Sequence, residues 1–319
     1  MIIKADEAGI ERAAVALGQG DLVGLPTETV YGLAADGFNE EAIAQVFAAK
    51  GRPHFDPLIY HLADETALRS LASEVSEPGE KLIRAFWPGA LTFVLPKNKD
   101  VPDLATSGLP SVAVRCPQHP VARALLEAFG GPVVAPSANR FGRISPTDAQ
   151  SVEQELGEQI SIILDGGDCR LGIESTIIDL QGEGARILRL GAVTREAIEE
   201  VIGPVTLVNQ NETDGKVNAP GMLKSHYAPR TPLQLIDQGS WLDLDLSEAA
   251  LLLFEKGEGE PRCPYRILSE SGNDLEAAAN LFRSLRSLDS LNVSTIYAER
   301  PPHSGLGLAI LDRLTRASS

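Results

Sequence analysis

Three stretches of the chain gather the residue types that bind phosphates and small polar molecules. In Lys50-Gly51-Arg52-Pro53-His54-Phe55-Asp56-Pro57, two cations flank a glycine that ends a helical pattern. A lysine in the last turn of a helix is accounted for by the helix dipole alone. Arg52 is not, because it lies past the glycine in a loop stiffened by Pro53 and Pro57. A guanidinium displayed on a rigid loop suits bidentate pairing with phosphate oxygens. In Ala135-Pro136-Ser137-Ala138-Asn139-Arg140-Phe141-Gly142-Arg143-Ile144-Ser145-Pro146-Thr147, a strand ends at a Ser-x-Asn turn and two arginines follow. Ser145, Pro146 and Asp148 then read as a helix start with Ser145 as the cap, and the free N–H groups of such a start attract anions. In Pro26-Thr27-Glu28-Thr29-Val30-Tyr31-Gly32-Leu33, hydroxyls stand directly beyond an apolar strand, where open α/β sheets bind ligands. A single threonine there is more often a turn cap.

Two looser pairs belong with these stretches. Ser111 and Arg115 bracket the strand Ser-Val-Ala-Val-Arg, and Ser175-Thr176 goes with Arg189. An arginine in an apolar strand is costly to bury alone, so Arg115 must face a partner or a cleft.

The elements that must position these groups alternate between short apolar runs and amphipathic helices, which indicates an α/β architecture. Helices are expected at 8–18, 40–50 (capped by Asn39 and stopped at Gly51), 77–86, 120–129, from Ser145, and 194–202. Strands are expected at 22–25, 58–62, 91–95, 112–115, 133–135, 160–164, 175–180 and 186–190. Residues 204–232 are rich in turn formers and read as a linker. A smaller α/β pattern follows, with strands at 233–236, 250–254 and 294–298, a helix at 275–288 and a closing helix from Gly305.

The chain has 319 residues, enough for about two domains. Its formal net charge is −16. Residues 1–210 hold 17 Lys and Arg against 29 Asp and Glu, a net of −12, which disfavours a protein that grips nucleic acid broadly through its phosphates. The three cysteines are dispersed, the start turns acidic at once, and no apolar run approaches the ~20 residues that span a bilayer. These features lead to the expectation of a soluble cytoplasmic protein with no membrane partner. There is no phosphate loop, no G-x-G-x-x-G after a strand, no G-x-S-x-G elbow, and no metal-ligand spacing among the five histidines.

Taken together, PTETVYGL at 26–33, KGRPHFDPLIYHL at 50–62, SVAVRCP at 111–117, APSANRFGRISPT at 135–147 and GIESTIIDL at 172–180 resemble the YrdC-like family of threonylcarbamoyl-AMP synthases. APGMLKSHYAPRTPL at 219–233, and the residues after it, resemble that family's long form. The resemblance implies an open twisted sheet with a concave ligand cavity over 1–203. It further implies a linker over 204–232 folding across the active site, and a small Rossmann-like α/β domain over 233–319.

The implied enzyme is a nucleotidyltransferase. It converts L-threonine, bicarbonate and ATP to L-threonylcarbamoyl-AMP and pyrophosphate, with Mg²⁺ carried in on ATP rather than held by protein side chains alone. The product would pass to a separate tRNA threonylcarbamoyl transferase complex, and whether the chain itself touches tRNA stays open. By the same resemblance, Lys50, Arg52, Ser137 and Asn139 are the catalytic candidates. Thr29, His61, Arg115, Ser137 and Ser175 would hold threonine. Arg52, Asp56, Ser111, Asn139, Ser145, Thr147, Arg189 and Tyr227 would line the nucleotide side. Asp56 stands where the family usually has Asn, and a carboxylate beside a polyphosphate is unfavourable unless it meets Mg²⁺ or turns away. The rival readings are an RNA-binding module of the same fold without ATP turnover, a carbamoyltransferase that uses a related domain to make carbamoyl-adenylate, and a structural or regulatory protein with a vestigial site.

Overall fold

The computed structural model describes residues 1–182, 184–208, 226–257 and 259–319. Eleven strands form one mixed, twisted sheet: β1 Ile2–Lys4, β2 Val23–Leu25, β3 Gly32–Asp36, β4 Ile59–His61, β5 Leu91–Pro96, β6 Ser111–Arg115, β7 Val133–Val134, β8 Ile162–Asp165, β9 Thr176–Asp179, β10 Arg186–Arg189 and β11 Thr206–Leu207. Their spatial order is β1-β8-β2-β3-β7-β4-β6-β5-β9-β10-β11. The central strands are buried on both faces, so they read as continuous apolar runs rather than alternating ones. β3 is the strand that composition hides. Gly-Leu-Ala-Ala-Asp lacks β-branched residues, yet antiparallel pairing with β2 and β7 makes it a strand.

The helices of this domain are α1 Glu7–Gly18, α2 Glu40–Lys50, α3 Leu68–Leu71, α4 Glu77–Phe86, α5 Asp103–Thr106, α6 Pro120–Phe129, α7 Ala149–Leu156 and α8 Arg195–Ile202, and α2 shows how local chemistry delivers the first loop. Asn39 accepts from the N–H groups of Glu41 and Ala42, and acids fill the first turn. Gly51 at φ 61° then turns the chain in the left-handed region, and the Arg52 N–H bonds the Phe47 carbonyl at 2.9 Å. That turn leaves Lys50 buried in the last helical turn and sends Arg52 inward.

The helix expected to start at Ser145 starts later. It runs from Ala149 to Leu156, and Asp148 is its cap, accepting from the Ser151 N–H at 2.7 Å. Ser145 is fully buried and donates its hydroxyl to Glu174 Oε1 at 2.6 Å. A charge-assisted bond to a carboxylate is stronger than a cap bond, so the hydroxyl is committed elsewhere.

The second domain is a parallel sheet in the order β12-β15-β13-β14, formed by β12 Leu233–Ile236, β13 Ala249–Glu255, β14 Tyr265–Ser269 and β15 Thr295–Glu299. Helices α9, Asp274–Asp289, and α10, Gly305–Ala317, complete it. Its core is shared with the first domain: Val30, Ile144 and Ile173 pack in one cluster with Leu281, Phe282 and Leu314. Gly172, at φ 68°, lies directly against α9, since a Cβ there would stand 2.5 Å from the Ala278 carbonyl oxygen. Of the stretch expected to be a linker, Thr206 and Leu207 pair with β10 as part of the first sheet. Residues 209–225, including Lys224 and Ser225 of the linker motif, lie outside the described residues. Among the described residues, no helix is long and apolar enough to cross a membrane.

Candidate active site

A cavity opens against the centre of the large sheet. Ile59 and His61 face it together because alternate residues of a strand share a face. Arg115 joins them as the register partner of His61 across the β4–β6 pair. Thr29 arrives from the loop after β2, Ser137 from the turn after β7, and Ser175 and Arg189 from the β9–β10 hairpin. Arg52 and Tyr227 complete the meeting of the expected residues in the wall.

Each arginine is held by protein groups that fix its direction. Arg115 donates through Nη1 to Thr29 Oγ1 at 2.8 Å and through Nε to the Gly89 carbonyl at 3.0 Å. Its Nη2 lies 2.7 Å from Glu28 Oε1, with both side chains 4% exposed. Burial would raise the Glu28 carboxyl, but Arg115 and the Gln118 N–H outweigh it and hold the carboxyl below its ordinary range. Arg52 donates to the carbonyls of Asp56 and Pro57 and meets Asp56 Oδ2 at 2.9 Å. Burial pushes the Asp56 carboxyl up and the Arg52 guanidinium down, while their contact opposes both shifts. Asp56 is fully buried against Arg52 and is not part of the cavity wall, so the carboxylate faces away from the space a ligand would fill. Arg189 donates to the carbonyl and the hydroxyl of Ser175.

His61 is neutral. Burial, then the charge of Arg115, pushes it down to about 3, and its Nδ1 lies 3.3 Å from the Ile59 carbonyl.

Lys50 and Asn139 stand behind the wall. Lys50 Nζ donates to the backbone carbonyls of Ser137 and Asn139, bracing the loop that presents Ser137. Its burial, and then Arg52, lower its ammonium well below the ordinary value. Asn139 Nδ2 ties the same loop through the carbonyls of Arg140 and Arg143 at 2.7 and 2.9 Å. Asn139 Oδ1 is buried without a hydrogen-bond partner among the described residues. Thr147 is buried and its carbonyl accepts the Cys169 N–H. Ser111 sits at the other end of β6 from Arg115, roughly 13 Å away at strand rise.

The anion site expected around Arg140, Arg143 and Ser145 does not form. Arg140 bonds Glu155, Arg143 pairs with Asp289 of α9 at 3.3 Å, and Ser145 bonds Glu174. Acids from α9 and the β8–β9 loop hold Arg143 and Ser145, while Arg140 stays exposed and its Nε meets the backbone carbonyl of Glu155 in α7 (Ala149–Leu156).

The roof comes from beyond the first domain. His226 and Tyr227 line the cavity; Tyr227 stacks on Phe282 with ring centroids 5.5 Å apart and carries a positive φ of 64°. Burial raises its hydroxyl to about 12, so it stays protonated. Sequence reasoning passed over Glu28, Glu174, His226 and Arg313. The first two lie inside the quoted segments, where an acid next to a hydroxyl residue was the available signal. Arg313 gave none, being one arginine of an amphipathic terminal helix.

Residues 15–191 match the Sua5/YciO/YrdC family model, described as "Telomere recombination", and residues 193–319 match the model "Threonylcarbamoyl-AMP synthase, C-terminal domain". The chain is 40% identical to the threonylcarbamoyl-AMP synthase of Pyrococcus abyssi, over 98% of this chain and 95% of that protein. It is 39% identical to that of Bacillus subtilis, over 99% and 94%. The crystal structure of P. abyssi Sua5 complexed with L-threonine superposes with a TM-score of 0.93 at 38% identity, covering 100% of this chain and 97% of that one.

Proposed function

This chain belongs to the Sua5/YciO/YrdC family in its long, two-domain form, and on that premise we propose that it is an L-threonylcarbamoyladenylate synthase. It joins L-threonine, bicarbonate and ATP into L-threonylcarbamoyl-AMP and pyrophosphate. One observation carries the reading: Arg52, Arg115 and Arg189, from three distant stretches, line one cavity with Thr29, His61, Ser137 and Ser175. Cations and hydroxyls in that number fit a polyphosphate and a small hydroxy amino acid.

The chemistry needs no covalent nucleophile on the protein. The nitrogen of the uncharged threonine amine bonds to the carbon of bicarbonate, the C–OH bond breaks, and water leaves with a proton from nitrogen to give a carbamate. A carbamate oxygen then bonds to the α-phosphorus while the bond to the β-phosphate oxygen breaks and pyrophosphate leaves. Fixed positive charge and positioning supply the catalysis. Arg115, pinned by Thr29 and Glu28, receives the threonine carboxylate, and neutral His61 adds no competing charge beside it. Ser175 contacts the amino acid, while Arg52, Arg189 and Tyr227 face the nucleotide. Lys50 and Asn139 act by holding the Ser137 loop in place. Asp56, Ser111, Ser145 and Thr147 support the nucleotide side from behind or from its margin. The fit for a protein-held metal is poor, since Glu28, Asp56 and Glu174 are each paired with an arginine. Mg²⁺ would then be carried in with ATP rather than held by protein side chains, and would supply screening of the triphosphate charge. The labile product is handed to a tRNA threonylcarbamoyl transferase complex in the cytoplasm.

The purified protein is expected to release pyrophosphate from ATP only when threonine and bicarbonate are both present. A threonine-independent rate equal to the full rate overturns the reading.

A further inference from the structure

Among the described residues, Glu174 is the only acidic side chain in the wall of the cavity. A carboxylate facing a triphosphate repels it, and the repulsion is strong where water is excluded. Glu174 is 6% exposed, so water does little to screen it. The two other acids close to the site, Glu28 and Asp56, lie behind the wall and are paired with arginines of the same domain. The partner of Glu174 comes from the other domain. Arg313 of α10 is fully buried, and its Nε donates to Glu174 Oε2 at 3.0 Å.

The rest of the Arg313 guanidinium is built into the junction. Nη1 donates to the Leu190 carbonyl and to Asp312 Oδ2, and Cζ stands 5.4 Å from the centre of the Tyr227 ring, within cation–π range. One guanidinium therefore touches the cavity wall, the β9–β10 side of the sheet and the roof tyrosine. Glu174, held on its Oε2 by Arg313, accepts the Ser145 hydroxyl on its Oε1.

We propose that Arg313, supplied by the second domain, is the positioning residue that makes the cavity acceptable to ATP, by neutralising Glu174 and holding it turned toward Ser145. The second domain is then required for more than cover, because without it the wall's carboxylate loses the guanidinium that bonds it where the triphosphate must lie. This inference rests on the proposed use of ATP.

The test compares Arg313→Met, Glu174→Gln and the double variant in the full chain. The readouts are the dissociation constant of ATP by calorimetry, and kcat and both KM values by pyrophosphate release. Arg313→Met is expected to weaken ATP binding at least tenfold, with kcat and the threonine KM within threefold of the unsubstituted protein. Adding Glu174→Gln is expected to bring ATP binding back to within threefold. A purely structural role gives the opposite pattern, with both substrates weakened together and no rescue by Glu174→Gln, and that result overturns the proposal. Should Arg313→Met fail to give a cooperative melt, Glu174→Gln alone decides: ATP binding equal to or tighter than the unsubstituted protein supports the proposal, and a loss of more than threefold overturns it. If the unsubstituted protein neither binds ATP nor releases pyrophosphate, the proposed function and this inference fall together. If it does both and Arg313→Met matches it, only the inference falls.

Discussion

The floor and the roof of the cavity are built on different principles. On the floor, partners are supplied mostly from within the large sheet domain: Arg52 meets Asp56 one helical turn's spacing away, and Arg115 meets Glu28 and Thr29 of a neighbouring loop. On the roof, partners come from the far end of the chain. Tyr227 stacks on Phe282 of α9, and Arg313 of α10 reaches Glu174 across 139 positions of sequence. The floor is a site a single domain can hold in shape, whereas the roof exists only when the two domains are docked. A shared apolar core and the pairs Arg143–Asp289 and Arg286–Glu155 hold that docking.

The contrast can be broken most severely on the floor. Arg115→Ala strands Glu28 as a buried, unpaired carboxylate and removes the proposed anchor for threonine. A loss of about 3–5 kcal/mol of stability is expected. At least a hundredfold loss of kcat/KM for threonine should accompany it, about 2.7 kcal/mol of transition-state stabilisation. Denaturant melts and pyrophosphate-release kinetics check the two parts. Unchanged threonine kinetics would separate Arg115 from substrate binding.

The docking of the roof is addressed by Gly172→Ala. The new methyl would meet the Ala278 carbonyl at 2.5 Å, at a φ of 68° that an L side chain seldom adopts. A cost of about 1–3 kcal/mol is expected from overpacking, seen as a lower melting temperature. The ATP KM should rise more than the threonine KM, because Arg313 retreats from Glu174. Equal changes in both would show that roof and floor are one unit after all.

The smallest effect is a pH slope. His61 titrates near 3 in the folded protein against an ordinary value of 6.5, so the unfolded chain takes up its proton first as pH falls. Stability contributed by His61 is present above 6.5 and is lost progressively on acidification toward 3. Between pH 6.5 and 5, before most carboxylates titrate, the melting temperature should decline, and His61→Gln should flatten that decline. A slope unchanged in the variant would place the titration elsewhere.

Much of the floor was legible in the sequence. Asn39 and Gly51 predicted both ends of α2, and Gly130 and Trp87 marked the ends of α6 (Pro120–Phe129) and α4 (Glu77–Phe86) as observed. The arginine embedded in the Ser-Val-Ala-Val-Arg strand signalled a partner or a cleft, and it has both. Reading failed where a local rule met a distant competitor. Ser145 has every local reason to cap a helix, and Glu174 of another loop takes its hydroxyl. Arg143 reads as an anion binder until Asp289 arrives.

Caps, glycine stops and apolar periodicity are contests settled within a few residues, so the sequence alone determined most of the elements, the α/β class and the stretches bearing the chemistry. Which charge neutralises which was decided only by the tertiary structure. Buried ion pairs depend on groups far apart in the chain losing their water together, and no local pattern records that. Arg313 is the plainest case: unremarked on its own helix, it becomes the partner of the cavity's acidic wall once α10 is docked.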